Sequence, residues 1–176
     1  MKKFILIVFA CLSLYLYNIS NKKEETVKIP DSAIRFRVLA NSNSPRDQKI
    51  KEDIRDKMQE ELYNLLKNTQ STKEARKIIN ENLDDFDYIL KSEMKDMEYS
   101  YTIDYGMHEF PEKTYKDITY EAGLYESLLV TLGKGQGDNW WCVLFPPLCL
   151  LEAEESINTE EIEYKSFIKE IIEKYF

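Results

Sequence analysis

Residues able to do chemistry are sparse in this chain, and most of the unusual ones fall in one stretch. Gly133-Lys134-Gly135-Gln136-Gly137-Asp138-Asn139-Trp140-Trp141-Cys142-Val143-Leu144-Phe145-Pro146-Pro147-Leu148-Cys149 holds three of the five glycines, both tryptophans and two of the three cysteines. A segment that gathers the scarce residue types is built for one conformation. Alternating glycines permit positive φ or close approach of another chain. Adjacent indoles offer large rigid area with one N–H each, and Pro146-Pro147 cannot continue a central strand or a helix. The glycines do not form a phosphate loop, because no Gly-Lys-Ser/Thr follows and Asp138 would repel a phosphate. They also miss the dinucleotide fingerprint, which needs a third glycine to pack a helix.

Catalytic sets are hard to assemble. His108 is the single histidine, and a Ser-His-Asp set would need a convergence that the sequence does not display. A Cys142–His108 dyad can be written, but Cys149 explains that thiol better. With Cys11 inside the N-terminal apolar run, Cys142 and Cys149 read as disulfide candidates or as free buried thiols. Two cysteines without a nearby histidine pair make a poor zinc site, so no metal and no cofactor is expected. The carboxylates lie on helix faces or in caps, where paired catalytic acids do not stand out. Nothing in these residues demands an enzyme.

The chain has 176 residues, 43% apolar, with a formal charge of −8, enough for one domain with a real core. Its acidic balance, with no basic stripe, argues against nucleic-acid binding. Lys2-Lys3 and the apolar run Phe4 to Tyr17 form a leader shorter than the ~20 residues a bilayer-spanning helix needs. Residues 1–20 therefore read as a signal peptide or a short membrane anchor, 21–32 as a polar tether, and 33–176 as a single α+β domain. On this reading the body lies outside the cytoplasm and meets the membrane only through the leader.

The elements that must position the glycine–tryptophan stretch follow from periodicity. Ile34, Phe36 and Val38 alternate with Arg35 and Arg37, which predicts a strand that Asn41-Ser42-Asn43 ends. Ser44-Pro45-Arg46-Asp47 starts a helix with the stripe Ile50, Ile54, Met58, Leu62 and Leu65. Ser71-x-x-Glu74 opens a second, with Ala75, Ile78, Ile79, Leu83, Phe86 and Leu90. Alternation of Met97, Tyr99, Tyr101, Ile103 and Tyr105 gives a second strand, ended by Gly106 to Pro111. Tyr115 to Tyr120, Tyr125 to Leu132 and Trp140 to Phe145 give three more. Thr159-Glu160-Glu161 caps a C-terminal helix whose stripe is Ile162, Ile168, Ile171 and Tyr175. The expected fold is α+β: an N-terminal strand, two amphipathic helices on one face of a mostly antiparallel sheet, and a C-terminal helix. One of Trp140 and Trp141 should then face the core and the other the opposite side.

Two blocks resemble a known family. Ile34-Arg35-Phe36-Arg37-Val38-Leu39-Ala40-Asn41-Ser42 with Ser44-Pro45-x-Asp47-Gln48 is similar to the opening of the stage II sporulation protein R family. So is Gly123-x-Tyr125-x-Ser127-Leu128 running on to the glycine–tryptophan–cysteine stretch, and the likeness spans residues 33–150. The resemblance implies a protein made in the forespore of an endospore-forming bacterium and exported into the space between the two membranes. There it would activate a membrane-embedded aspartic protease of the mother cell, which cleaves a sigma-factor precursor. It would be a ligand without catalysis of its own. Asn139, Trp140 and Trp141, with Asn41 and Ser42, are the candidate partner contacts. The rivals are a secreted cell-envelope hydrolase using Cys142 or unassigned carboxylates, and a structural protein of the spore envelope.

Overall fold

The computed structural model describes residues 30–115, 118–148 and 170–175. The leader, nearly all of the tether, Cys11, Cys149 and the expected start of the C-terminal helix lie outside the described residues. The elements are β1 (Ile34–Leu39), α1 (Pro45–Leu66), α2 (Thr72–Glu81), α3 (Leu83–Glu93), β2 (Tyr101–Phe110), β3 (Lys113–Tyr115), β4 (Ile118–Tyr120), β5 (Gly123–Leu132) and β6 (Asn139–Phe145). Residues 170–175 are helical. The α+β class and the order strand, helices, sheet, C-terminal helix agree with the sequence reading.

Four strands form one sheet in the order β2-β5-β1-β6, and β3 pairs with β4 separately. β1 runs parallel to β5 and antiparallel to β6, while β2 and β5 are antiparallel. An interior strand is flanked on both edges, so both of its faces need cover. On one face Phe36, Val38, Leu128, Val130 and Leu132 meet Ile54, Met58 and Leu62 of α1, Ala75 and Ile79 of α2, and Phe86 and Leu90 of α3. Each of these side chains larger than Ala75 contributes roughly 1.5–3 kcal/mol by leaving water.

Local differences have local causes. The second helix is two helices, broken at Asn82, whose side-chain amide donates to the Ile78 carbonyl at 2.7 Å. The Asn82 backbone N–H reaches Ile79 instead of continuing the α ladder. An asparagine that bonds its own backbone competes with the helix. On α1 the buried stripe runs Asp47, Lys51, Ile54, Met58, Leu62 and Leu66, so Leu66 rather than Leu65 is fully buried and two charged residues join it. β2 does not stop at Gly106 but pairs with β5 through to Phe110↔Gly123. Its tyrosines alternate as expected and anchor the helices. Tyr101 donates to Asp87 at 2.9 Å and Tyr105 to Glu126 at 2.8 Å, and Glu126 holds Arg76 of α2 through two bonds of 2.6 and 2.7 Å. The Arg76 contact holds the Glu126 carboxyl below the usual carboxylate range.

The second face of the sheet is also covered, which one-sided helix packing did not anticipate. Ala33, Tyr120, Val143, Leu148 and Ile171 form a smaller buried cluster there, with Trp141, Ile172 and Tyr175 against it. Ile162 and Ile168 of the expected C-terminal stripe lie outside the described residues.

Candidate functional site

The glycine stretch joins β5 to β6 and is riveted to the corner between β1 and α1. Its glycines are half-buried and the intervening Lys134, Gln136 and Asp138 are exposed, so the alternation separates an inner edge from an outer one. Sterics explain it. A Cβ on Gly137 would stand 2.3 Å from the Ser42 carbonyl oxygen, and one on Gly133, where φ is +54°, would stand 2.2 Å from Asn41 Oδ1. No L side chain fits either place. The backbone then docks: Gly137 N–H donates to the Ala40 carbonyl at 2.8 Å and Lys134 N–H to Asn41 Oδ1 at 3.0 Å. Asp138 N–H donates to Asn43 Oδ1, and the Asp138 carbonyl accepts from Lys51 Nζ at 3.3 Å.

Asp47 is the post on which this corner hangs. It sits in the first turn of α1 behind the Ser44 cap, and its carboxylate accepts from Ser42 Oγ at 2.6 Å, Asn41 Nδ2 at 2.8 Å and Tyr99 OH at 2.9 Å. The Ser42 bond, aided by Asn41 and Tyr99, holds its carboxyl below the usual range against the opposing effect of burial. Burial and the Asp47 bond together push the Tyr99 hydroxyl up to about 12. Asn41 and Ser42 are thus half-buried and engaged within the chain, with Asn41 bonded to both the loop and Asp47. The outward groups of the corner are Lys134, Gln136, Asp138 and Asn43 with Arg46.

The indoles point to opposite faces, as the strand alternation requires. Trp140 packs edge-on to Phe36 at 5.6 Å on the helix face, with Arg55 at 5.7 Å from its ring. Trp141 lies on the other face, 5.0 Å from Tyr120 and 5.6 Å from Phe110. Both are half-buried, so neither is a free outward anchor, and Asn139 begins β6 beside them, also half-buried. Cys142 is disulfide-bonded and packs against the helix-face core. It therefore offers no thiolate, and it faces away from His108.

One convergence was invisible in the sequence. His108 Nδ1 lies 2.7 Å from Ser127 Oγ, and His108 Nε2 lies 2.9 Å from Asp104 Oδ2. A carboxylate only accepts, so Nε2 donates to Asp104, while Nδ1 and the Ser127 hydroxyl share the second bond. The wiring has the parts of a nucleophilic triad. Access does not follow, since Ser127 is fully buried and no acyl carbon reaches its Oγ while the sheet face is closed. The β2–β5 register places Ser127 opposite Gly106, and only that register brings the three together. Among the described residues no group of His, Cys, Asp and Glu could hold a metal ion, and no helix is long and apolar enough to cross a membrane.

Fold and corner define an α+β domain whose glycine stretch docks on the β1–α1 corner and turns Lys134, Gln136 and Asp138 outward. Residues 30–155 match the family described as stage II sporulation protein R. The chain is 41% identical to stage II sporulation protein R of Bacillus subtilis (strain 168), over 99% of this chain and 83% of that one. The chain belongs to the stage II sporulation protein R family and is a sporulation protein. No solved structure matches it.

Proposed function

We propose that this protein is an exported signal, carried from the forespore into the intermembrane space, where it activates a membrane-embedded aspartic protease and so triggers processing of a mother-cell sigma-factor precursor. Membership of the sporulation family carries the reading, and two features support it. The Lys2-Lys3 leader with its short apolar run is suited to export. The Asn41–Asp47–Asp138 corner is rigid, and a preorganised surface spends little of its binding energy on ordering itself. A ligand activates a receptor only by binding its active state more tightly than its inactive one. The contact residues in this proposal are Lys134, Gln136 and Asp138, with Asn139 and Trp140 behind them, while Asn41 and Ser42 hold the loop in place.

The test is co-expression of the protease and the sigma-factor precursor in a non-sporulating host, with and without this protein bearing its leader. Precursor cleavage only in its presence is the expected result. Alanine at Lys134, Gln136 and Asp138 together should abolish cleavage with the cooperative unfolding transition unchanged. Cleavage lost only when folding is lost would move the contact elsewhere. No cleavage with folded, exported protein would remove direct activation as a sufficient account. A second reading, a cell-envelope hydrolase, draws on the Ser127–His108–Asp104 line. It requires that Ser127→Ala abolish activity, whereas a signalling ligand tolerates it.

A further inference from the structure

Arg35 and Arg37 alternate with the core residues of β1 and so emerge on the second face of the sheet. Arg35 is 1% exposed, yet its Nε and Nη1 have no hydrogen-bond partner. Its guanidinium lies 3.4 Å from the Tyr125 ring centroid, 5.0 Å from that of Trp141 and 5.1 Å from that of Phe110. The Arg37 guanidinium stands 5.2 Å from the same Phe110 ring and gives one N–H to the Glu109 carbonyl at 3.0 Å, leaving its Nε buried and unbonded. Trp141 Nε1 is the fourth such buried polar atom among the described residues, and Lys113 Nζ lies 5.9 Å from the Trp141 ring.

All four orphaned atoms are donors, and all four belong to residues around one aromatic cluster. Among the described residues these four atoms have no acceptor, although the Glu109 carbonyl takes another Arg37 N–H and the Asp31 carboxylate favours the Arg35 charge. Stacking on rings offsets part of the cost of burying a guanidinium. It does not satisfy N–H groups, and buried charges in folded proteins are otherwise paired. The charge balance points the same way, because a chain of net charge −8 has here two arginines and a lysine with none of its carboxylates bonded to them among the described residues.

We propose that the margin of this face, where Arg37 and Trp141 are half-buried and Lys113 is exposed, is a binding site for a carboxylate carried by another protein chain. Arg35 and Arg37 supply the charge, the Trp141 indole N–H supplies a further donor, and Phe110, Tyr120 and Tyr125 wall the site. A planar carboxylate matches guanidinium donors, and an apolar stem beside it suits rings that a hydrated inorganic ion would meet at greater cost. The site lies on the second face of the sheet, and the assignment does not depend on which receptor the protein meets.

The full-length protein has two indoles, so tryptophan labelled at the ring nitrogen gives two indole N–H resonances, and Trp140→Phe assigns that of Trp141. The probes are N-acetyl-Phe-Glu-Phe-amide, the same peptide with Gln for Glu, and inorganic phosphate at constant ionic strength. A saturable shift of the Trp141 resonance with the Glu peptide, absent with the Gln peptide, is the expected outcome. Arg37→Gln should weaken it at least about tenfold. Arg35→Met should abolish it while keeping a cooperative unfolding transition, and if that variant does not fold the Arg37→Gln result decides. Equal response to both peptides would mean ring stacking alone and would overturn the proposal. So would an equal or stronger response to phosphate, or no response to any probe.

Discussion

On the helix side of the sheet, Phe36, Val38, Leu128 and Val130 lose all exposure against apolar residues of three helices, and the polar tyrosine hydroxyls at the margin each find a carboxylate or carbonyl. On the opposite side, equally buried positions hold Arg35 and Ser127, and among the described residues four donor atoms have no acceptor. Both sides exclude water, but only one is satisfied. The difference teaches that burial by itself does not mark a region as stabilising. The helix side carries the larger apolar core, and the arginine side holds beside its smaller one polar groups whose cost is left standing in the isolated chain.

The largest effect should come from exchanging the two sides. Phe36→Ala should cost about 3–5 kcal/mol in urea unfolding. Arg35→Met, one residue away and as deeply buried, should leave stability unchanged or raise it, because it removes an unpaired buried charge. A loss as large as that of Phe36→Ala would end the contrast between the faces.

The glycine corner gives a smaller, stereochemical comparison. Gly137→Ala drives a Cβ into the Ser42 backbone and should cost about 1–3 kcal/mol. Gly106→Ala, whose nearest neighbour would be Asp104 Oδ2 at 3.6 Å, should be neutral or slightly stabilising. Equal losses at both glycines would show that the close approach to Ser42 does not set the cost at Gly137.

Asp47 sharpens the comparison by pH. Its folded carboxyl titrates below its unfolded value, so the stabilisation is complete above the unfolded value of about 3.9 and is lost as pH falls through the lower folded one. Asp47→Asn should flatten the acid limb of the stability curve. Glu126 acts with the same sign, so Glu126→Gln should remove a separate part of that limb. An unchanged acid limb in both variants would mean these contacts do not differ between folded and unfolded chains.

The smallest effect belongs to the surface. A double-mutant cycle on Arg76 and Glu126 should give a coupling of about 0.5–1 kcal/mol, since Arg76 is half exposed, and added salt should reduce it.

Much of this was legible in the chain. Ser44-Pro45 and Ser71 start helices because capping is a contact between near neighbours, and both caps form as written. The alternation in β1 and β6 set the side on which each residue lies, including the opposite placement of Trp140 and Trp141. The glycine stretch declared itself by composition, although its purpose did not: the glycines admit Asn41 and Ser42, which the sequence offered as partner contacts. Tertiary structure alone decided the rest, because register and packing join residues far apart in the chain. It wired Asp47 to Tyr99 and the loop to Lys51, set His108 between Ser127 and Asp104, and laid an aromatic cover over the second face. Alternation told that Arg35 and Arg37 leave the helix core, but only the fold shows that Arg35 is fully buried and that both keep guanidinium N–H groups without an acceptor among the described residues.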